Sequence, residues 1–305
     1  MDSRDYGALR PHKPQTPHGE NAIKVIAAAT DFTTTATVAL RRAGQLCRAN
    51  GARVHLINVM SPARAKAGSM LNAISGRGRL SASAAVSHLR QAAARIIAEF
   101  DVPVDTHLGV GNVSREIGAH ARAVRADLIV VGNSRKNFLE EVLGLNTALR
   151  VQRKTDLPLL AVSSPALRPY TRVLLASDLS AEAARAGQQA LRFFPDSTFV
   201  VLHAFESPYT GMLAMSGATH DVLEDYRRRA KFEGMERLRA FARDASLYND
   251  AILRVDVGHP ALSARKQAGE LGIDLVVLRP TKRWLTSGVT EHLIADPPCD
   301  LLLMP

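Results

Sequence analysis

Ala126–Val131 reads ADLIVV and is followed by Gly132. The run is too short for a helix, is rich in β-branched residues, is introduced by an acid and ends on a glycine. A strand buried on both faces of a parallel sheet has this form. Ile273–Val277, IDLVV, repeats it, and Asp127 and Asp274 are 147 residues apart (274 − 127).

The same interval recurs at the start of each half. Ile23–Ala29 with Thr30, Asp31 and Phe32 (IKVIAAATDF) matches Thr171–Ala176 with Ser177, Asp178 and Leu179 (TRVLLASDL), so that Asp31 and Asp178 are also 147 apart (178 − 31). Solenoid repeats have periods of roughly 20–50 residues, so an interval this long means two copies of a whole domain. The chain of 305 residues is long enough for two domains that each bury a core.

Around these anchors, strands alternate with helical patterns. Thr33–Arg48 carries Ala36, Leu40, Ala43 and Leu46 or Cys47 at helical spacing and stops at Asn50–Gly51. Arg53–Val59 is a second strand, Ala84–Phe100 a helix, Val104–Val110 a third strand, and Ser114–Arg125 a helix leading to the organising strand. A helix over Asn146–Lys154 and a strand over Pro158–Val162 complete the half. The second half repeats this order. It is five residues shorter between its last two strands, so Asp300 answers to Pro158 at an interval of 142 (300 − 158). The reading is an α/β protein of two tandem, doubly wound, five-stranded parallel-sheet domains of Rossmann-like type. Residues 1–22 form a tail, 23–163 the first domain, 164–170 a Pro- and Ser-containing linker, and 171–305 the second domain, while 61–82 are rich in Gly, Ser and Arg.

Composition narrows the function. The 46% hydrophobic content is that of a globular protein, no apolar run approaches the roughly 18–20 residues that span a bilayer, and the N-terminus has no signal-peptide core. The two cysteines, Cys47 and Cys299, are expected to be free thiols in a reducing compartment, which points to the cytoplasm. A net charge of +10 raises nucleic acid as a partner. However, the densest basic cluster, Arg227, Arg228, Arg229 and Lys231, is interleaved with Glu224, Asp225, Glu233 and Glu236 and no aromatics, as on a solvated helix face. Membrane is therefore set aside, and nucleic acid stands third behind a nucleotide and a protein partner, with a steep fall of affinity with salt as its mark. Nucleophile elbows, metal-spaced His or Cys pairs and a complete P-loop are absent, so no catalytic or metal-binding residue is assigned.

Ligands of doubly wound sheets bind beyond the C-terminal ends of the strands, at the switch in strand order. Thr30, Asp31, Val59, Gly109 and Gly132 lie at such ends. Asp31 is an acceptor for an adenine amino group or a sugar hydroxyl, or an N-cap of the helix that follows, and both roles stand. Gly132 is read either as part of a phosphate cradle or as a turn glycine at positive φ.

Both halves resemble universal stress protein domains. The likeness is carried by AATDFTTTATVALRRA, VHLINV, ADLIVVG and LRVQRKTDLPLLAV in the first copy, and by ASDLSAEAARA and GVTEHLIADPPCDLLLM in the second. It implies an adenine nucleotide hydrolase-like fold, a non-enzymatic regulatory role in stress, and ATP in members that keep a glycine-rich cradle, while the apolar final strands Leu159–Val162 and Leu301–Met304 suit edge pairing between domains or chains and so point to protein partners or a homodimer. That cradle is a glycine, two residues, a second glycine, nine residues, then glycine with a hydroxyl residue. Here Gly132 fits, Arg135 stands at the second glycine, and Leu145 and Asn146 stand at the last pair, flanked by Gly144 and Thr147. Two readings stay open. Arg135 and Lys136 replace backbone donors while Asn146 or Thr147 caps the helix and ATP still binds, with slow hydrolysis conceivable, or the bulky residues close the cradle and the protein is a nucleotide-free interaction module. The second half has Arg279, Pro280, Thr281, Lys282, Arg283 and Trp284 in the corresponding loop, with no glycine before Gly288, and no family-type ATP site is expected there.

Overall fold

The computed structural model describes residues 23–62, 81–133, 151, 155–163, 165, 168–206, 219–247, 251–281 and 288–305. In the first half these form β1 (Val25–Ala29), α1 (Thr34–Asn50), β2 (Arg53–Met60), α2 (Ala82–Phe100), β3 (Val104–Val110), α3 (Val113–Ala123), β4 (Leu128–Gly132) and β5 (Leu159–Val162). The second half contributes β6 (Arg172–Ala176), α4 (Ala181–Phe193), β7 (Thr198–Phe205), α5 (His220–Asp244), β8 (Ala251–Val257), α6 (Pro260–Leu271), β9 (Leu275–Leu278), α7 (Val289–Ala295) and β10 (Asp300–Leu303).

Each half is a parallel sheet, in the orders β3-β2-β1-β4-β5 and β8-β7-β6-β9-β10. The halves join where β5 and β10 pair antiparallel, with Leu301 opposite Ala161, Leu302 opposite Leu160 and Leu303 opposite Leu159, which makes one ten-stranded sheet. These two strands are apolar at nearly every position and fully buried, because each covers the edge that the other would leave open. The two faces of the sheet carry separate apolar clusters. One holds Leu56, Leu89, Leu160, Leu175 and Phe199 under α1, α2, α4 and α5, and the other holds Ile57, Ile129, Leu159, Leu174 and Val276 under α3, α6 and α7.

The acid that introduces each inner strand does structural work. Asp127 Oδ2 accepts from the N–H groups of Lys24 (2.7 Å) and Val25 (2.9 Å), and Asp274 accepts from those of Thr171 (2.8 Å) and Arg172 (3.2 Å). Each ties the start of the first strand of its half to that of the fourth through charge-assisted bonds.

Beneath α3, His107 of β3 stacks on His120 at 4.3 Å between ring centroids, and His55 of β2 meets His120 edge-on at 5.7 Å. Asp105 lies 3.6 Å from His55 Nε2 and 4.0 Å from the Arg53 guanidinium. Burial, with the neighbouring His107 and His55, pushes His120 down to about 4. The unfolded chain therefore takes up this proton near pH 6.5 and the folded chain only near 4. The His120 contribution to stability is fully present above pH 6.5 and is lost as pH falls toward 4. Urea unfolding midpoints measured across that window should fall with pH, and by less in His120→Gln.

Candidate functional site

The β1–α1 turn is built by short polar side chains. Thr30 Oγ1 accepts from the Phe32 N–H (3.0 Å), which holds Phe32 at φ 65° where the chain reverses into the helix. Asp31 Oδ1 accepts from the N–H (3.0 Å) and the hydroxyl (2.6 Å) of Thr33, and the Thr33 hydroxyl in turn accepts from Ala36 N–H at 3.2 Å. The N-cap of α1 is thus Thr33, and Asp31 acts one step back, fixing the cap. The capping role considered for Asp31 passes to its neighbour because the turn needs two residues, not one, to reach the first free amides. Among the described residues, Asp31 Oδ2 has no hydrogen-bond partner, and this half-buried carboxylate oxygen remains available as an acceptor at the strand end.

Asn58 donates from its side chain to the Thr30 carbonyl at 2.7 Å and so fixes the lip of β1 from β2. One residue on, Val59 pairs with Gly109 across β2 and β3, and the two form a low apolar ledge beside β1. A Cβ on Gly109 would lie 3.3 Å from that of Glu116 and 3.5 Å from Val59 Cγ2, so the ledge stays low because position 109 has no side chain.

Gly132 does not have positive φ, contrary to the turn-glycine reading. Its lack of a side chain matters for another reason. A Cβ there would lie 2.9 Å from the carbonyl carbon and oxygen of Thr35 and 3.0 Å from Ala36 N, because β4 ends against the first turn of α1. Asn133 follows, buried, with its N–H on Val162 O (2.7 Å) and its side-chain amide on Ile294 O (3.3 Å) at the end of α7. The structure therefore brings Thr30, Asp31 and Gly132 together at the crevice between β1 and β4, with Val59 and Gly109 beside them. Arg135, Gly144, Asn146 and Thr147 lie outside the described residues.

The second half reproduces the turn. Ser177 Oγ accepts from Leu179 N–H (3.0 Å) with Leu179 at φ 64°, Asp178 Oδ1 holds the N–H and hydroxyl of Ser180, and His203 Nδ1 meets the Ser177 carbonyl at 3.1 Å in the place of Asn58. It differs at the cradle. Arg279 replaces Gly132, its Nε donates to Pro305 O at 2.9 Å, and together with Glu182, Arg185 and Gln189 it borders a cavity of about 280 Å³.

No group of three or more His, Cys, Asp or Glu among the described residues is placed to hold a metal ion. Burial pushes the Cys47 thiol up to about 12, which leaves it unreactive. No helix among the described residues is long and apolar enough to cross a membrane.

A family model described as "Universal stress protein family" matches residues 22–163 and again 169–305. Among solved structures, a universal stress protein from Archaeoglobus fulgidus DSM 4304 is 13% identical with a TM-score of 0.64, covering 94% of this chain and 99% of its own. A functionally unknown protein from Pseudomonas aeruginosa PAO1 is 17% identical with a TM-score of 0.59, covering 93% of each chain. A putative universal stress protein from Pseudomonas aeruginosa UCBPP-PA14 is 16% identical with a TM-score of 0.59, covering 93% of this chain and 94% of its own. A comparison with curated proteins finds no match.

Proposed function

The chain belongs to the universal stress protein family, and on that footing we propose that it binds one adenine nucleotide, ATP in the first instance, at the β1/β4 crevice of its first half, and acts as a regulatory protein and not as an enzyme. The observation that carries this reading is Asp31. Its Oδ1 is committed to the Thr33 cap while Oδ2 has no partner among the described residues, beside the low ledge of Val59 and Gly109. A fixed carboxylate oxygen next to a flat apolar surface suits the amino group or sugar hydroxyl of an adenosine seated on its face. The phosphate end would lie beyond Gly132, where β4 ends against the first turn of α1.

The second half has the adenosine-side turn but not the cradle. Arg279 places a side chain where Gly132 has none, and Pro280 removes an N–H from the loop. We therefore assign the nucleotide to the first half alone.

The test is mass spectrometry of small molecules released when freshly purified protein is denatured, joined to binding of added ATP. Near one adenine nucleotide per chain, or saturable uptake of ATP by an empty protein, is expected. A protein that releases none and ignores added ATP would replace this reading with that of a nucleotide-free interaction module. Asp31→Ala removes one hydrogen bond to the adenosine end and should weaken ATP by about tenfold, measured as a shift in the dissociation constant.

A further inference from the structure

At the seam between the halves lies a buried charged cluster that exists on one side only. Arg42, from the middle of α1, is 3% exposed and lies 3.5 Å from Asp300 Oδ2, which is fully buried on β10. The Arg42 guanidinium also donates to Gln45 Oε1 and Arg168 O, each at 2.6 Å, and sits 4.4 Å over the ring of Tyr170. The Tyr170 hydroxyl donates to Asp300 Oδ2 at 2.7 Å, and Ser163 N–H donates to Asp300 Oδ1 at 2.8 Å. Thus Arg42 and Ser163 come from the first half, Asp300 from the second, and Tyr170 from the last position of the linker that leads into it.

The pairing of Leu160 with Leu302 places the seam on a pseudo-two-fold axis, since these are equivalent positions of the two copies. On the far side of that axis each member has an equivalent, and every one of them differs. Gln189 stands for Arg42, Pro158 for Asp300, Ile23 for Tyr170 and Pro305 for Ser163. There, among the described residues, the seam has no buried ion pair. Gln189 and Pro305 border the cavity of about 280 Å³, while Arg42 and Ser163 on the charged side border one of about 720 Å³.

We propose that this one-sided cluster makes the seam selective for unlike halves, so that each half accepts the other and rejects a second copy of itself. Two first halves paired across β5 would bury two Arg42 guanidiniums opposite Pro158 and Ile23, with no carboxylate for either. Two second halves paired across β10 would bury two Asp300 carboxylates opposite Gln189. The apolar strands alone do not discriminate, since Leu159–Val162 and Leu301–Leu303 present similar surfaces. A buried charge without its partner is strongly penalised, so the penalty against the wrong pairs is built in twice. The inference does not depend on the nucleotide.

The test keeps the whole protein and cuts it after folding. A protease site introduced at Ala166–Leu167 allows the folded chain to be nicked. The nicked protein is dissociated in dilute urea, allowed to re-form, and analysed by native mass spectrometry. Unlike pairs are expected almost exclusively. In Arg42→Gln with Asp300→Asn, like pairs should rise toward the statistical one-to-two-to-one mixture. Like pairs from the unaltered protein, or strict unlike pairing in the neutral variant, would overturn the proposal. A second readout on the intact chain covers halves that fail to refold. Arg42→Gln and Asp300→Asn should each lower the urea midpoint more than the double variant does, and additive losses would equally overturn it.

Discussion

Asp300→Ala is expected to lower the stability of the chain by about 3–5 kcal/mol, the range found when one member of a buried ion pair is removed. The carboxylate is fully buried and, among the described residues, meets the Arg42 guanidinium, the Tyr170 hydroxyl and the Ser163 N–H. Alanine strips all three at once and leaves a buried guanidinium without its counter-charge. In the unaltered protein burial, with the nearby Asp300 charge, raises Tyr170 well above its ordinary value, so the phenol is held protonated as the donor to Asp300. Urea unfolding should show a lower midpoint. If the halves separate before they unfold, the transition should split into two. A loss below about 1 kcal/mol, the level of an exposed pair, would mean that the cluster is wetted and does not hold the seam.

The second large effect is expected at Gly132. Gly132→Ala puts a carbon 2.9 Å from the Thr35 carbonyl, and the obstacle is backbone in the first turn of α1, which cannot rotate aside. Either β4 or α1 must move by several tenths of an ångström, and overpacking of this kind costs about 1–3 kcal/mol. The same shift displaces Thr33 and with it Asp31, so nucleotide affinity should fall together with stability. Thermal unfolding and ATP titration of the variant measure the two losses. Arg279→Gly, at the equivalent place in the second half, should cost little, because that side borders a cavity.

Much of the architecture could be read from spacing. The two apolar runs after Asp127 and Asp274 are β4 and β9, and the repeat at 147 residues corresponds to two copies of one parallel sheet. The acid before each run was visible as a pattern, while its reason was not. Asp127 and Asp274 bind N–H groups about a hundred residues away, and only the folded register shows this. Similarly, the replacement of Pro158 by Asp300 was visible as an alignment of the halves. The meaning of that replacement depends on Arg42 and Tyr170, which are distant in sequence and have no local signature.

At the candidate site, the structure removes one of the two roles read for each of Asp31 and Gly132. Asp31 supports a cap and does not form one, because Thr33 is one helical step closer to the free amides. Gly132 is required by a neighbouring helix and not by its own φ, a distinction that needs coordinates. Asn133, tied to Ile294 of the second half, was not singled out at all, since a lone Asn after a strand reads as ordinary turn chemistry.

The measurement that tests the account most directly is the stoichiometry of ATP binding by calorimetry, carried out on the unaltered protein, on Asp31→Ala and on Asp178→Ala. The turn around Asp178 has the same hydrogen bonds as that around Asp31, while its surroundings differ, with Arg279 at the place of Gly132, His203 at that of Asn58, and Ala204 paired with Asp256 where Val59 pairs with Gly109. One site per chain, weakened by Asp31→Ala and untouched by Asp178→Ala, is the predicted result. Two sites per chain, or equal losses in the two variants, would contradict the assignment of a single live crevice in the first half.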